Sequence, residues 1–314
     1  MLRLARLSGS SWPWRAGLLG ATVGAAALER RRAECEEWWQ DPSNCSDACF
    51  MWKRQWNPDW DFRSPPTGEK SKVGKIRHLL FIRHGQYDLE GEEHRLTELG
   101  RRQSEKLAQR LVAERQGLKK DRYGEVKINY TGIWVSNVPR ALETAQILSS
   151  FLPDVPLKEP EPLLAEGKPT VPHPTSSAKG FVGADLWEDS VRMEAAFRKY
   201  VHRDVDHKKL AEKKAKKEKK KKQELGDGYV PPEKEEEPEP EPKEPEHVFE
   251  IYVCHMNMIR YMVMRALQLP PEAWLRLRGD NTNITEIVVH PDGRVSLHRF
   301  GDVGHLPVEM ATFH

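Results

Sequence analysis

The segment 75–86, which reads KIRHLLFIRHGQ, constrains the fold of this chain more than any other stretch. Its apolar residues, Ile76 and the run 79–82, span the length of a buried β-strand. The triplet Arg83-His84-Gly85 follows the run directly, and Gly85 permits a sharp turn because it has no Cβ atom. Ligands of open α/β sheets bind outside the carboxyl ends of the strands, so the triplet indicates a binding crevice. The alternative is a strand that ends in solvent and leaves Arg83 and His84 as exposed polar residues, which would give the same short motif.

Two later strands are also followed by residues that bind anions. The run 133–135 predicts a strand, and Pro139 and Arg140 stand in the first turn of the helix after it. The run 248–254 predicts a central strand, and His255 follows it before a helix that is predicted to begin at Asn257. Free backbone amides at a helix start favour an anion. Arg140 is therefore a candidate ligand in the same crevice, and an arginine exposed on a helix surface is the alternative.

A carboxylate completes the set of candidate site residues. Glu166 lies in a predicted loop, where it is either a general acid and base or a solvated side chain. Two arginines and two histidines suit a tetrahedral oxyanion, whereas a divalent metal would require more acidic ligands or a third histidine. Guanidinium groups bind phosphate through paired N–H bonds. The pattern predicts a phosphate site without a metal ion or cofactor, formed by five residues: Arg83, His84, Arg140, Glu166 and His255.

The remaining periodicity predicts an α/β fold. Thr97 is a candidate N-cap for the helix that follows it, and the segment 191–201 has an amphipathic helical pattern. The segments 284–290 and 295–300 flank a Pro-Asp-Gly turn and predict a hairpin. We expect a mostly parallel central sheet with helices on both faces, in one catalytic domain at 75–314.

Residues 208–246 interrupt this domain. A lysine block gives way to the acidic proline repeat EKEEEPEPEPKEPE, which contains almost no residue able to pack, so we predict a disordered insertion. The insertion accounts for the low mean hydropathy of −0.72. The chain has 50 basic and 48 acidic residues, and a net charge of +2 gives no basis for nucleic-acid binding.

Residues 1–32 predict a targeting or anchoring segment. Arg3, Arg6 and Arg15 precede the first acidic side chain, and the segment 16–28 is uncharged. A mitochondrial presequence or signal anchor, a cleaved secretory signal and a short buried helix are the alternatives. The positive start without acidic residues favours a membrane anchor.

Residues 33–74 contain five tryptophans but few aliphatic side chains. Trp56 and Trp60 flank an Asn-Pro turn. Tryptophans outside a core commonly bind a partner, so this segment is either a docking arm for another subunit or a disordered tether. Three of the four cysteines, Cys35, Cys45 and Cys49, also lie here, and four cysteines are too few for a disulfide scaffold in a chain of 314 residues. We expect unpaired thiols, and a bridge from Cys35 to Cys45 or Cys49, which requires an oxidising compartment, is the alternative. We expect Cys254 to be a core residue.

The chain resembles the histidine phosphatase superfamily, the phosphoglycerate-mutase-like group, in which an RHG triplet follows the first strand and a second histidine follows a late strand. Within this group it is similar to the mitochondrial family called phosphoglycerate mutase family member five, whose members are serine/threonine protein phosphatases. Six motifs carry the resemblance: WNPDWD at 56–61, FIRHGQY at 81–87, SNVPRALET at 136–144, RMEAAFRKYVHR at 192–203, CHMNMIRY at 254–261 and PPEAWLRL at 270–277.

The resemblance implies a hydrolysis of phosphoserine and phosphothreonine proteins in two steps, without a metal ion. His84 would be the nucleophile and form a phosphohistidine, and Glu166 would be the general acid and base. Arg83, Arg140 and His255 would bind the phosphate oxygens.

The resemblance also implies two kinds of association. Trp56, Trp60 and Asp61 would join subunits of the same protein, and the N-terminal segment would anchor the chain in a mitochondrial membrane. A catalytically weak membrane scaffold with the same fold is the main alternative. A phosphoglycerate mutase is disfavoured, because Glu-Ser commonly follows the triplet in that group and Gln86-Tyr87 follow it here.

Overall fold

The computed structural model describes most of the predicted catalytic domain, at residues 56–63, 74–121, 124–172, 184–204, 215 and 246–313. The predicted anchor at 1–32, most of the predicted arm at 33–74, and the predicted insertion at 208–246 apart from Ala215 and Glu246 lie outside these residues. By its contacts the chain divides after Asn57, and every element below belongs to the second unit. None of the helices in the described part of the chain has the length and apolar character needed to cross a membrane.

A six-stranded sheet and a separate hairpin contain all the described strands. The strands are β1 (Ile76–Arg83), β2 (Leu118–Asp121), β3 (Gly124–Lys127), β4 (Tyr130–Ser136), β5 (Leu157–Glu161), β6 (His247–Cys254), β7 (Ile284–Val289) and β8 (Val295–Asp302). The order across the sheet is β5-β4-β6-β1-β7-β8, and β2 pairs only with β3. Strands β5, β4, β6 and β1 are parallel neighbours, whereas β7 and β8 form an antiparallel edge. The predicted α/β fold with a mostly parallel sheet is confirmed.

Four α-helices cover the sheet. They are α1 (Glu98–Gln116), α2 (Pro139–Phe151), α3 (Ala184–Tyr200) and α4 (Met256–Ala266). Thr97 caps α1 as predicted, since its side chain accepts a hydrogen bond from the amide of Gly100. Pro139 occupies the first turn of α2, where its missing N–H group removes no helical hydrogen bond.

Apolar side chains of β1 point alternately to the two faces of the sheet, and both faces are buried. Leu79 and Phe81 pack in a core with residues of α3 and α4. Leu80 and Ile82 point to the other face and pack with residues of α1 and α2. A strand covered on both faces needs a continuous apolar run, which is what the sequence provides. Cys254 is fully buried at the end of β6, as expected for a core residue.

The structure corrects two predicted helix boundaries. Helix α3 begins at Ala184 rather than at Val191, because its first two turns carry polar side chains and an exposed Trp187 instead of an apolar stripe. Helix α4 begins at Met256 with His255 as its N-cap, one residue before the predicted start at Asn257.

The structure also contains strands that the sequence did not predict. β5 reads LKEPE and is largely exposed, and its charges and proline suit an edge strand better than a core strand. The short hairpin of β2 and β3 has no continuous apolar run to reveal it.

Candidate active site

His84 follows the end of β1 and is almost completely buried. Its Nδ1 atom lies 2.8 Å from the carbonyl oxygen of Gly85. Burial, Arg140 and Arg83 hold the pKa of the His84 imidazole well below its usual value, so the ring is neutral. A carbonyl oxygen only accepts, so Nδ1 carries the proton and the lone pair is on Nε2. His84 therefore presents a nucleophilic nitrogen without needing a separate base.

Gly85 fixes the turn that follows this ring. A Cβ atom at this position would lie 2.5 Å from the carbonyl oxygen of Gly100 in α1, so only glycine allows the close approach. The Gly85 amide donates to the hydroxyl of Thr144 in α2 at 3.1 Å. The turn is thus held between two helices.

Two buried arginines flank His84. The Nε–H group of Arg140 donates to His84 Nε2 at 3.0 Å. Arg83 donates through Nη1 to the carbonyl oxygen of Gly279 at 2.8 Å, and its buried Nε atom has no hydrogen-bond partner among the described residues. Burial lowers the pKa of both guanidinium groups, but an arginine stays charged at neutral pH. The site therefore has a concentrated positive charge and a donor with no acceptor, which favours an anion.

His255 faces His84, with ring centroids 5.1 Å apart. Burial and the neighbouring His84 and Arg140 hold its pKa well below the usual value, so this ring is also neutral. The hydroxyl of Ser136, at the end of β4, lies 2.9 Å from His255 Nε2 and accepts a hydrogen bond from the amide of Val138 at 3.3 Å. The hydroxyl proton is therefore free to go to Nε2, which leaves the proton of His255 on Nδ1, facing the site. Ser136 sets this tautomer, and the sequence prediction missed it.

Glu166 lies at the edge of the site, with about a third of its side chain exposed. One carboxylate oxygen is 3.5 Å from His255 Nδ1 and 3.9 Å from Arg140 Nη2. The other accepts a hydrogen bond from the amide of Asn257 in the first turn of α4, at 3.2 Å. Burial raises the pKa of Glu166 against the opposing effect of Arg140, so the group holds a proton more readily than an ordinary glutamate.

Arg192 and Asp189 of α3 hold the loop that carries Glu166. The Arg192 guanidinium donates to the carbonyl oxygens of Ala165 and Glu166, both at 2.8 Å, and to that of Leu163 at 3.1 Å. Asp189 accepts from Arg192 and from the amide of residue 168, both at 2.8 Å. Arg192 is the first residue of the motif RMEAAFRKYVHR, but the sequence prediction assigned no role to it, and Asp189 lies before the predicted helical segment 191–201.

A metal ion is a second ligand class that this donor set could hold. One donor atom each from His84, Glu166 and His255 lie within 4.8 Å of one another. The guanidinium groups of Arg83 and Arg140 oppose a cation, since two unit charges about 4 Å apart repel by roughly 4 kcal/mol near a protein surface. The charge of the surroundings thus favours an oxyanion over a metal.

The other predicted site residues make their contacts elsewhere. Trp60 is buried in the core, and its indole N–H donates to the carbonyl oxygen of Gly293 at 2.9 Å. Asp61 accepts from the amide and guanidinium of Arg203 at 2.7 to 2.8 Å. Both differ from exposed docking residues, because they contact other parts of the same chain. Trp56 is 43% exposed.

Comparisons with known proteins first indicate the superfamily to which the chain is similar. A sequence model of the histidine phosphatase superfamily (branch 1) matches residues 79–166, a range that includes four of the five clustered site residues. Across this segment the chain is therefore similar to the histidine phosphatases.

Relatives from animals identify the family within this superfamily. The chain is 34% identical to "Serine/threonine-protein phosphatase Pgam5, mitochondrial" of Caenorhabditis briggsae, covering 82% of this chain and 81% of that protein. It is 34% identical to the Homo sapiens PGAM5 phosphatase, covering 82% and 80%, and 35% identical to that of Xenopus laevis, covering 82% and 84%. The chain belongs to the PGAM5 family.

Solved structures include more distant neighbours. A phosphoglycerate mutase from Plasmodium falciparum is 24% identical, covers 74% of this chain and 96% of its own, and has a TM-score of 0.42.

Proposed function

We propose that this chain is a serine/threonine protein phosphatase that works without a metal ion, through a phosphohistidine on His84. The observation that carries the proposal is the neutral His84 ring, whose Nε2 lone pair lies beside a buried guanidinium group at 3.0 Å. The names of relatives at 34% identity support phosphoserine and phosphothreonine proteins as the substrates.

The first chemical step moves the phosphoryl group to the enzyme. His84 Nε2 attacks the phosphorus, and the bond between phosphorus and the serine or threonine oxygen breaks. Glu166 gives its proton to that departing oxygen, and its raised pKa favours the protonated form needed for this role. The Arg140 Nε–H group, which donates to His84 Nε2 in the free protein, turns to a phosphate oxygen.

The second step releases phosphate. The Glu166 carboxylate takes a proton from water, and the oxygen of that water attacks the phosphorus of the phosphohistidine. The bond between phosphorus and Nε2 breaks, so inorganic phosphate leaves and neutral His84 returns. One group acts as acid and then as base, so no second carboxylate is needed.

Three groups stabilise the charge on the non-bridging oxygens. These groups are the buried Nε–H of Arg83 and the Nδ1–H of His255, which have no hydrogen-bond partner among the described residues, and the guanidinium of Arg140 beside His84 Nε2. Removing one donor of this kind typically lowers the rate by about 10²- to 10³-fold.

Phosphate release from a phosphoserine or phosphothreonine peptide, measured with EDTA present, tests the proposal. We expect full activity in EDTA and its loss in His84→Ala. His94→Ala is the matched control, because His94 is an exposed histidine outside the cluster. Acid-labile, base-stable phosphate on the protein after rapid quenching would identify the phosphohistidine.

Two results would overturn the proposal. Activity that EDTA abolishes and zinc restores would indicate metal catalysis by the same donors. A folded protein without phosphatase activity would favour the scaffold alternative, in which the fold only recruits partners.

We also propose the domain organisation and location that the sequence predicts. Residues 1–32 form a mitochondrial membrane anchor, 33–74 an arm, and 75–314 the phosphatase domain with an insertion at 208–246. The names of the relatives support a mitochondrial location. Deletion of 1–32 is expected to release the protein from mitochondrial membranes into the soluble fraction, and retention in the pellet would contradict the anchor.

Self-association through the arm is the last part of the proposal. Trp56 is exposed and Trp60 is buried in the described part of the arm, and the contacts of Trp60 and Asp61 fix the end of the motif. We expect Trp56→Ala to shift the sedimentation coefficient to a smaller species. Trp187→Ala is the control, because Trp187 is an exposed tryptophan of α3. Equal sedimentation of Trp56→Ala and the unchanged protein would refute the docking role.

A further inference from the structure

A second cluster of histidine and carboxylate side chains lies near the start of β1, whereas His84 follows its end. His78 of β1, Glu286 of β7 and His298 of β8 come from three neighbouring strands. One donor atom from each lies within 4.8 Å of the others. The proposed phosphatase reaction uses none of these residues.

The donor atoms have the spacing of a metal-ligand set. His78 Nδ1 is 2.8 Å and His298 Nδ1 is 4.0 Å from the same oxygen of Glu286. The rings of the two histidines approach edge to face, with centroids 6.1 Å apart. Two imidazoles and one carboxylate are a ligand set that Zn²⁺ accepts at about 2.0 to 2.2 Å, and a small movement of the exposed His298 would close the site.

Neighbouring groups already orient the two buried ligands. His78 Nε2 lies 2.8 Å from Nδ1 of His247, and the ring stacks on Phe249 with centroids 4.2 Å apart. Arg299 Nε donates to the second oxygen of Glu286 at 2.9 Å. Partners that fix the free nitrogen of a histidine ligand and the free oxygen of a carboxylate ligand are typical of metal sites.

The site opens on a cavity of about 710 Å³ that Glu286, His298 and Arg299 line. His78 and Glu286 are buried, whereas 38% of the His298 side chain is exposed at this opening. Water in the cavity would supply the fourth ligand of a tetrahedral ion.

The surrounding charge accepts a cation. Arg299 is paired with both Glu286 and Glu114, and Arg110 is paired with Glu114 and Asp302. The three carboxylates of Glu286, Glu114 and Asp302 thus face two guanidinium groups. The net charge of this group of side chains is −1 when the histidines are neutral. This net charge is opposite in sign to that of the catalytic cluster, where Arg83, Arg140 and Arg260 outnumber Glu166 and Asp280.

We propose that His78, Glu286 and His298 bind a divalent transition-metal ion of the Zn²⁺ class. The ion ties β1, β7 and β8 together at the end of the sheet away from His84. Because it binds the folded chain, it stabilises the protein by mass action.

Zinc retention by the full chain tests this site. His84→Ala is used as the background, because it removes one donor of the catalytic cluster that could also hold zinc. This protein and its His84→Ala/His298→Ala derivative are dialysed against Zn²⁺ and then against buffer, and zinc per chain is measured by atomic absorption. We expect the derivative to retain one zinc fewer per chain, and to lose the rise in unfolding temperature that zinc gives the background protein.

Two further variants keep the test decisive. His84→Ala/His94→Ala removes an exposed histidine outside the cluster and is expected to retain zinc like the background. His298→Gln keeps a polar side chain at the cavity and is expected to lose zinc as His298→Ala does. Equal zinc content and equal thermal shift in all four proteins would overturn the proposal and leave His78 and Glu286 as an ion pair only.

Discussion

Replacing Arg192 by lysine tests how the position of Glu166 is maintained. The planar guanidinium of Arg192 spans three loop carbonyl groups and Asp189, at 2.8 to 3.1 Å. A lysine ammonium keeps the charge but is a compact group on one atom, and it cannot reach all four acceptors at once. Arg192 does not contact the reacting atoms, so we regard it as a positioning residue.

The expected loss of rate follows from the hydrogen bonds. A hydrogen bond with a charged donor contributes about 1.5 to 3 kcal/mol, and each 1.4 kcal/mol changes an equilibrium about tenfold. Losing one bond would lower the fraction of molecules with Glu166 in place by about 10- to 150-fold. The loss of rate cannot exceed the contribution of general acid catalysis itself, about 10²- to 10⁴-fold. We expect Arg192→Lys to lower kcat by about 10- to 100-fold.

Steady-state kinetics on a phosphopeptide separate positioning from binding. KM should change little in Arg192→Lys, because Arg83, Arg140 and His255 bind the phosphate and are held by other elements. The pH profile should lose the contribution of Glu166 in proportion to the loss of kcat. Arg198→Lys is the matched control, because Arg198 lies on the same helix and pairs with Glu194 instead of the loop.

A double-mutant cycle gives the result that would refute the reasoning. If Arg192 acts only through Glu166, Arg192→Lys in a Glu166→Gln background lowers kcat no further. Additive losses from the two substitutions would show that Arg192 affects the rate by another route. A tenfold rise in KM with constant kcat would assign Arg192 to substrate binding instead.

Three more predictions test the site and its support. Ser136→Ala should lower kcat by about tenfold or more while leaving the fold intact, because His255 loses the donor that keeps its proton on Nδ1; a rate equal to that of the unchanged protein would contradict this. The lowered pKa of His84 should move the acid limb of kcat/KM below pH 6.5, and the raised pKa of Glu166 should move the alkaline limb above pH 4.5, with Glu166→Gln removing only the alkaline limb. Asp61→Ala should lower the free energy of unfolding in urea by about 3 kcal/mol, because it removes the buried carboxylate that accepts from the Arg203 guanidinium, whereas the exposed Asp59, 3.8 Å from the same group, should cost about 1 kcal/mol or less when replaced by alanine.

The sequence predicted the strands that matter most for the site. Apolar side chains dominate the runs before His84 and His255, because β1 and β6 lie side by side and are covered on both faces. Parallel neighbours end at the same edge of a sheet, so finding both histidines after such runs was enough to bring them together. The positions of Thr97 and Pro139 at helix starts could be predicted from the sequence, because each residue acts within the first turn of its own helix.

The groups that orient the site could not be predicted in the same way. Ser136 reaches His255 across 119 positions of sequence, and Arg192 reaches Ala165 across 27. Neither contact leaves a periodic pattern, because each depends on where two elements pack. Trp60 shows the same limit: the segment around it has no apolar run of its own, and the core that buries Trp60 comes from distant parts of the chain.

Two clusters in this chain offer the same donors, two histidines and one glutamate, and the groups around them decide what each can bind. Around His84 and His255, the charges of Arg83, Arg140 and Arg260 outnumber those of Glu166 and Asp280, and the Nε–H of Arg83, which has no partner among the described residues, is a donor that an oxyanion can satisfy. Around His78 and His298, Arg299 is already paired with carboxylates, which leaves room for a positive ion. The donor set alone therefore does not define the ligand. The sign of the charge that remains unbalanced around the donors determines the ligand. A net positive charge favours an oxyanion near His84, and a net negative charge favours a cation near His78.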